Sequence, residues 1–407
     1  MASNIQELKT YAHNYSSQTK ASSVVRALLP IMAAVFVAFL VTGLAMPALP
    51  LHVHDGLGFG TFVVGLVAGA QFTASLLSRF WSGSYADSRG GKRAVVVGLL
   101  LAAASGLLYF LSLRFVSAPV TSAMVLLVGR AVLGGAESFI ITGALSWGLA
   151  LAGPENTGKV MAWVGTAMYV AFAIGAPAGS ALYATYGFAA IALATTLIPL
   201  ITLLLVLPRQ AVAPPAHTRR PSFTRVVGAV WAPGVGLAFS SVGFGAITTF
   251  VVLLFSQRGW SLAWLALTVF ATAFVLARLL FSHLADRIGG ARVALVSALI
   301  EAIGLALVWL APWGALALIG ACVTGFGYSL VYPGFGVEAV RRAPAESRGL
   351  AMGAYTAFLD LALGLANPAL GLVAGRVGLG AVFLTSALAV TCSVGVAARL
   401  LLWPVKN

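Results

Sequence analysis

Charged side chains are scarce in this chain, and several stand inside long apolar runs, where charge is costly. Arg130, Gly134 and Glu137 fall at i, i+4 and i+7 of one run, so a helix presents all three on one face. Asp360, Gly364 and Asn367 repeat that spacing in a later run, with Pro368 directly after. Arg130 lies roughly 16 Å along its helix from the nearer polar boundary. A charge at the centre of a bilayer costs about 3 kcal/mol on insertion scales. Two such charges on one stripe need a cavity or each other. They form either a buried Arg130–Glu137 pair of structural value only, or a site that carries a proton or a substrate. No basic residue shares the run of Asp360 before Arg376 at its far end, so it reads as an unpaired carboxyl. Burial favours the neutral form of such a group, which suits a proton carrier. Asp360, Glu137 and Arg130 are therefore the expected proton-coupling residues.

Other polar residues have blander readings. Tyr328, Ser329 and Tyr332 sit among glycines in one run, a density that fits a cavity wall with close helix contacts. Tyr169, Tyr328, Tyr332 and Asn367 are the expected substrate-cavity residues. Glu301 is expected to pair or to snorkel. Glu338 is placed for a local ion pair with Arg341 and Arg342, and His283 reads as a helix-end residue. His52, His54 and Asp55 form a cluster that reads as a solvated turn rather than a metal site. Cys322 and Cys392 lie in apolar runs, where a structural disulfide is not expected. No phosphate-binding Gly-Lys loop, nucleophile–base set or Cys/His metal spacing is present, so neither an enzyme nor an ATP-driven pump is expected, and no cofactor.

The elements that must position these residues follow from composition. Of 407 residues 60% are hydrophobic and 8% charged, against about 25% charged in a soluble domain. The apolar runs number twelve and are of spanning length, roughly 20 residues each. The first covers 24–47 and is ended by Pro47 and Pro50. The formal charge of +14 is read as topology, not as nucleic-acid binding, because Lys and Arg collect in cytoplasmic loops. Of the 24 Lys and Arg, only Arg114, Arg258 and Arg376 fall on the opposite side, and Arg79, Arg130 and Arg278 fall within spans. Both termini are thus expected in the cytoplasm, in a multi-pass protein of the cell inner membrane. The expected organisation is an N-terminal tail over 1–23, a six-helix bundle over 24–207, a Pro- and Arg-rich cytoplasmic linker over 208–225, and a second bundle over 226–407.

Two stretches tie the bundles together. Arg79 to Arg93, RFWSGSYADSRGGKR, aligns without a gap to Arg278 to Arg292, RLLFSHLADRIGGAR, at an offset of 199. Gly134, Ser138, Pro177 and Ala178 align with Gly325, Ser329, Pro368 and Ala369 at 191, which also pairs Tyr169 with Asp360. A charged Gly-rich turn used once per half implies a duplicated chain.

A Gly83-x-x-x-Asp87 turn closing on Lys92 and Arg93, its echo at Asp286, Arg287, Gly289 and Arg292, and Arg130-x-x-x-Gly134 together resemble the motifs of the major facilitator superfamily. Ser88 stands where the family usually has Arg, Ser282 replaces the leading Gly of the second turn, and Gly175-Ala176-Pro177 spaces the antiporter motif differently. LSRFWSGSYAD, GYSLVYPGFGVEAV and AYTAFLDLALGLANPALG resemble its YhhS/YfcJ-like, arabinose-efflux-permease-like branch. The resemblance implies an all-α membrane protein of twelve transmembrane helices in two pseudo-symmetric six-helix bundles. It implies alternating access, with Asp87, Arg93, Asp286, Arg292, Arg79 and Arg278 as gating residues. Asp87 and Asp286 would act as latches when the cytoplasmic side is closed, and Arg79 and Arg278 could partner those carboxylates or a lipid phosphate. The expected function is secondary active, proton-coupled efflux (antiport) of a small organic molecule such as a drug, sugar or metabolite. A proton-coupled uptake symporter is the alternative, and a membrane sensor or channel a remote one. The expected partners are a small-molecule substrate, protons and the lipid bilayer, with no nucleic acid, and the expected state is a monomer.

Overall fold

A computed structural model describes residues 28–153, 157–212, 223–343 and 348–403. Twelve helices in it are long and apolar enough to cross a membrane. In chain order they are α1 (Leu28–Gly56), α2 (Thr61–Arg89), α3 (Gly91–Ser112), α4 (Pro119–Ala152), α5 (Thr157–Tyr186) and α6 (Phe188–Val206). The second set is α7 (Phe223–Gln257), α8 (Ala263–Phe281), α9 (Gly290–Leu310), α10 (Gly314–Arg342), α11 (Arg348–Val377) and α12 (Leu379–Leu402). A one-turn helix, Leu284–Arg287, bridges α8 and α9. The tail expected over 1–23 and most of the linker expected over 208–225 lie outside the described residues.

Helices are the form an apolar chain can take in lipid, because each satisfies its own backbone hydrogen bonds. Prolines 177, 199, 233, 333 and 368 all lie inside helices. Pro47 and Pro50 do too, which corrects the expected end of the first span. α1 runs through both and closes in a wide π turn at His52–Gly56. In a packed bundle neighbouring side chains can satisfy the carbonyls a proline frees, so proline is a weaker stop there than in water.

The two halves repeat one packing scheme. In the first, α4 packs on α2 and α3, and α6 on α3; in the second, α10 packs on α8 and α9, and α12 on α9. Glycines set the register. A Cβ at Gly134 would overlap the Gln71 carbonyl oxygen, and one at Gly325 would overlap that of Phe270. Gly91 abuts Gly143 as Gly290 abuts Gly334. Both contacts obey the offsets of 199 and 191 read from sequence. Gly90 and Gly289 hold φ of 91° and 96°, a region that L side chains avoid, so the turn requires glycine in both halves.

The halves meet along two seams, α2 with α11 and α5 with α8, which the repeat exchanges. An even number of spans puts both ends of the bundle on one side, here called the terminus side; the other is the far side. Toward the far side the α2/α11 seam is shut. The Thr61 hydroxyl donates to the Gly371 carbonyl at 2.8 Å, and a Cβ at Gly65 would overlap the Asn367 carbonyl oxygen. Gly83 and Gly353 lie on the same faces several turns toward the terminus side, and no described residue stands within 4 Å of a Cβ at either. The seam therefore parts toward the terminus side.

Candidate functional site

α2 carries a polar stripe at Gln71, Ser75 and Arg79, spaced i, i+4 and i+8, that touches both buried acids. Gln71 Nε2 donates to Glu137 Oε1 of α4 at 2.6 Å, and the Thr42 hydroxyl of α1 donates to the same oxygen at 2.7 Å. Two turns on, Arg79 Nε and Nη2 reach Asp360 Oδ2 of α11 at 2.6 and 2.5 Å, and Ser75 Oγ lies 3.4 Å from it. One more turn brings Ser82 Oγ to 2.9 Å from Ser138 Oγ. Glycine makes the stripe possible, since Gly134 lets the α2 backbone lie directly on α4.

Asp360 is thus not unpaired, which corrects the reading above. Its cation comes from the other half of the molecule, 281 residues away, where no spacing within its own run could reveal it. The Arg79 side chain is 21% exposed and that of Asp360 5%, so the pair is desolvated on the carboxylate side and reachable on the guanidinium side. The acid that Arg79 grips is Asp360, in place of the Asp87 carboxylate or lipid phosphate expected. Arg130 and Glu137 form no ion pair within 4 Å among the described residues. Both are buried, but among the described residues Arg130 reaches the Tyr109 hydroxyl, at 3.4 Å, and its Nε meets no hydrogen-bond partner.

The pseudo-symmetric seam is built from the equivalent positions with different chemistry. Arg278, the counterpart of Arg79, meets Tyr169, the counterpart of Asp360. The guanidinium lies 5.2 Å from the centre of the Tyr169 ring and 5.5 Å from that of Phe274, with the Tyr169 hydroxyl at 3.4 Å. The two rings lie 3.9 Å apart across the seam. Cation–π contacts offset about 0.5–2 kcal/mol each, against the roughly 3 kcal/mol charged for a cation at mid-depth. Arg278 is held, but not neutralised. Toward the far side of these rings lies a cavity of ≈ 20 Å³ lined by Met46, Phe172, Phe244, Phe270 and the same two rings.

The remaining expected residues fall into place around this frame. Tyr332 is half-buried, its hydroxyl 2.8 Å from that of Thr356. Tyr328 is packed behind Phe244, ring centres 5.1 Å apart, and does not form the wall. Asn367 is wholly buried between α2 and α7, taking a bond from Thr249 at 3.4 Å while its Nδ2 has no partner among the described residues. Glu301 does not snorkel: it is wholly buried, with Ser240 donating to Oε2 and Gly243 beside Oε1. Glu338 pairs with Arg342 at 2.6 Å and Arg341 at 3.6 Å. At the terminus side Arg93, Asp286 and Arg292 are exposed, and Asp87 is half-buried at the end of α2. Lys92 donates to the carbonyls of Leu207 and Arg209, tying α3 to the end of α6. His52 is not in a solvated turn but stacks on Phe188 at 4.1 Å, and His54 Nδ1 donates to the Phe59 carbonyl at 2.7 Å.

Gln71 and Ser75 were not found by sequence reasoning. The one signal that could have found them is their shared α2 face with Arg79.

The family description "Major Facilitator Superfamily" matches residues 31–267 and 235–406. A protein of Salmonella typhimurium described as an uncharacterized MFS-type transporter is 44% identical over 88% of this chain and 92% of its own length. One from Pseudomonas aeruginosa, with the same description, is 42% identical over 87% of this chain and 88% of its own. Among solved structures, a point mutant of the nucleoside transporter NupG superposes with a TM-score of 0.69 at 15% identity, and the human organic anion transporter MFSD10 with 0.64 at 14%. Each covers 92% of this chain and 99% of the other, a likeness of fold alone. With helix number, internal repeat, turn motifs and relatives in agreement, the chain is a membrane transporter and belongs to the Major Facilitator Superfamily.

Proposed function

We propose that this transporter exports a small organic molecule in exchange for protons, with the terminus side facing the cytoplasm of a cell whose inner membrane it spans. The excess of Lys and Arg on the terminus side supports the orientation. The observation that carries the coupling is the Arg79–Asp360 bridge across the α2/α11 seam, at one end of a stripe whose other end holds Glu137. A carboxylate that an arginine grips on one helix and a proton can neutralise is a two-state element, because the two cations compete for one oxygen. In the state open to the terminus side, Asp360 has released its proton and Arg79 holds α11 against α2. Substrate loading from that side parts the pair and opens the far side, where a proton takes the carboxylate and leaves Arg79 free. Return to the terminus side then releases the proton. Arg130 and Glu137, two turns apart on α4, serve as a second proton relay. Asp87, Arg93, Asp286 and Arg292 form the latches of the opposite state, in which the terminus side closes. One chain holds the whole pathway, so a monomer suffices.

The test is proton flux in proteoliposomes after profiling of metabolites and toxins in overexpressing and deletion cells. Asp360→Asn should abolish proton-linked flux while the protein still inserts and melts as a folded species. Unchanged efflux in that variant removes Asp360 from the mechanism. Proton entry accompanying substrate entry, instead of opposing it, would convert the reading to an uptake symporter.

A further inference from the structure

The charges at mid-depth do not cancel site by site. Arg79 is matched by Asp360, Glu137 is held by Gln71 and Thr42, and Glu301 is enclosed between α7 and α9 with Ser240. Arg278 keeps its charge with no carboxylate paired to it among the described residues. Among the described residues its fixed contacts are two aromatic faces and one phenol. It stands one helical turn beyond Phe274 toward the terminus side, the side on which the α2/α11 seam parts.

The same two rings are shared with the cavity. Its other walls, Met46, Phe172, Phe244 and Phe270 among them, are apolar except at Thr248. Apart from the Tyr169 phenol, the hydroxyl that lines it, on Thr248, is spent on the Phe244 carbonyl of its own helix at 2.8 Å. A sugar or other polyol would enter with several hydroxyls and find, beyond the Tyr169 phenol and Arg278 at one end, no partner for the rest, and unpaired buried polar groups are strongly disfavoured. An apolar or aromatic body would find a matching wall. At ≈ 20 Å³ the cavity has room for little more than a water, so any such body must widen it by parting Tyr169 from Phe274. Those rings close the seam without an ionic lock, unlike Arg79 and Asp360.

We propose that Arg278, Tyr169 and Phe274 form the substrate site, and that its ligands are amphipathic organic anions. One carboxylate or sulfonate pairs with Arg278, taking the place of the Tyr169 hydroxyl, while an aromatic or branched body enters between the rings. This rests on the transporter reading above and narrows it. The two seams then divide the work: α2/α11 answers to protons and α5/α8 to cargo.

The test is equilibrium binding to the full chain in nanodiscs of neutral phosphatidylcholine, followed by tryptophan fluorescence with no gradient imposed. The probes are 1-naphthoate, its neutral analogue 1-naphthalenemethanol, its cationic analogue 1-naphthylmethylammonium, and gluconate as an anion lacking an apolar body. 1-Naphthoate should bind at least about tenfold tighter than the neutral analogue, which corresponds to about 1.4 kcal/mol, and the cation and gluconate should not saturate. Arg278→Gln should erase that tenfold preference while leaving weak binding of 1-naphthalenemethanol intact, which shows the variant folded. Arg278→Lys should keep part of the preference. Equal affinities in the native chain, a preference for the cation, no saturable naphthoate binding, or a preference that survives Arg278→Gln each overturns the proposal. Loss of naphthoate binding on adding phosphatidylglycerol to the nanodisc also overturns it, since a lipid headgroup would then be the occupant. No step depends on a proton gradient, so failure of the coupling mechanism and failure of this site are separately visible.

Discussion

A carboxyl group at mid-depth in a bilayer survives by binding a proton, a cation or a set of donors, and this molecule uses the last two on one helix face. Glu137 takes the donor solution, with Gln71 and Thr42 both on Oε1. Hydrogen bonds to a charged group contribute about 1.5–3 kcal/mol each when nothing replaces them. Gln71→Leu should therefore lower the unfolding free energy by about 1–3 kcal/mol, and Thr42→Val by less, in thermal or denaturant melts of the purified protein. Because both donors serve one oxygen, the double variant should deviate from additivity by about 0.5 kcal/mol or more. Additivity to within about 0.3 kcal/mol would mean that the donors act independently. Glu137 and Asp360 were legible in sequence because charge inside an apolar run stands out. Gln71 and Ser75 were not, since a neutral polar residue in a span is common and its worth depends on what faces it. The partner of Asp360 was misread for the same reason: a seam between halves joins residues that no helical period relates.

At the scale of elements, the long helices follow from hydropathy and length, and the repeat from two motif copies. The structure adds the reason those copies hold glycine. α4 lies against α2 so closely at Gly134 that a methyl group would overlap the Gln71 carbonyl oxygen, whereas its neighbour Gly135 faces open space. Gly134→Ala should separate the helices and cost about 1–3 kcal/mol or more, as overpacking does. Gly135→Ala should be neutral or stabilising by up to about 1 kcal/mol, because alanine is the better helix former. Size-exclusion profiles and melting temperatures of the two variants distinguish them, and equal behaviour would show that the α2–α4 contact is looser than described. Pro47 and Pro50 mark where sequence rules transfer poorly. A stop signal calibrated in water fails in a bundle where neighbours absorb the local disruption, and α1 continues two turns beyond its expected end. The latch role expected of Asp286, Arg93 and Arg292 was read from the motif, and the structure shows these three side chains exposed.

For the molecule as a whole, two seams decide which side is open. Gly375 lies with its Cβ position 3.4 Å from Thr61 Oγ1 on the shut side of the α2/α11 seam. With Cys322 and Cys392 replaced by Ser, the pair Thr61→Cys and Gly375→Cys should cross-link under oxidation and stop turnover, and reductant should restore it. In the same background Gly83→Cys should react with a polar maleimide added from the terminus side, and more slowly once the transporter is driven to its opposite state. Cross-linked protein that still turns over would show that this seam does not open during transport. The bridge between Arg79 and Asp360 has an electrical consequence as well. Joined, the two side chains carry no net charge, so a membrane voltage exerts little force on the halves as they rock. Under the proposed exchange, a proton on Asp360 would leave the guanidinium a bare charge, for which a full crossing is worth about 2.3 kcal/mol per 100 mV. In that exchange the resting potential of the cell would then act on one half of the cycle and spare the other, so that the voltage dependence of transport would rest on a single pair of side chains.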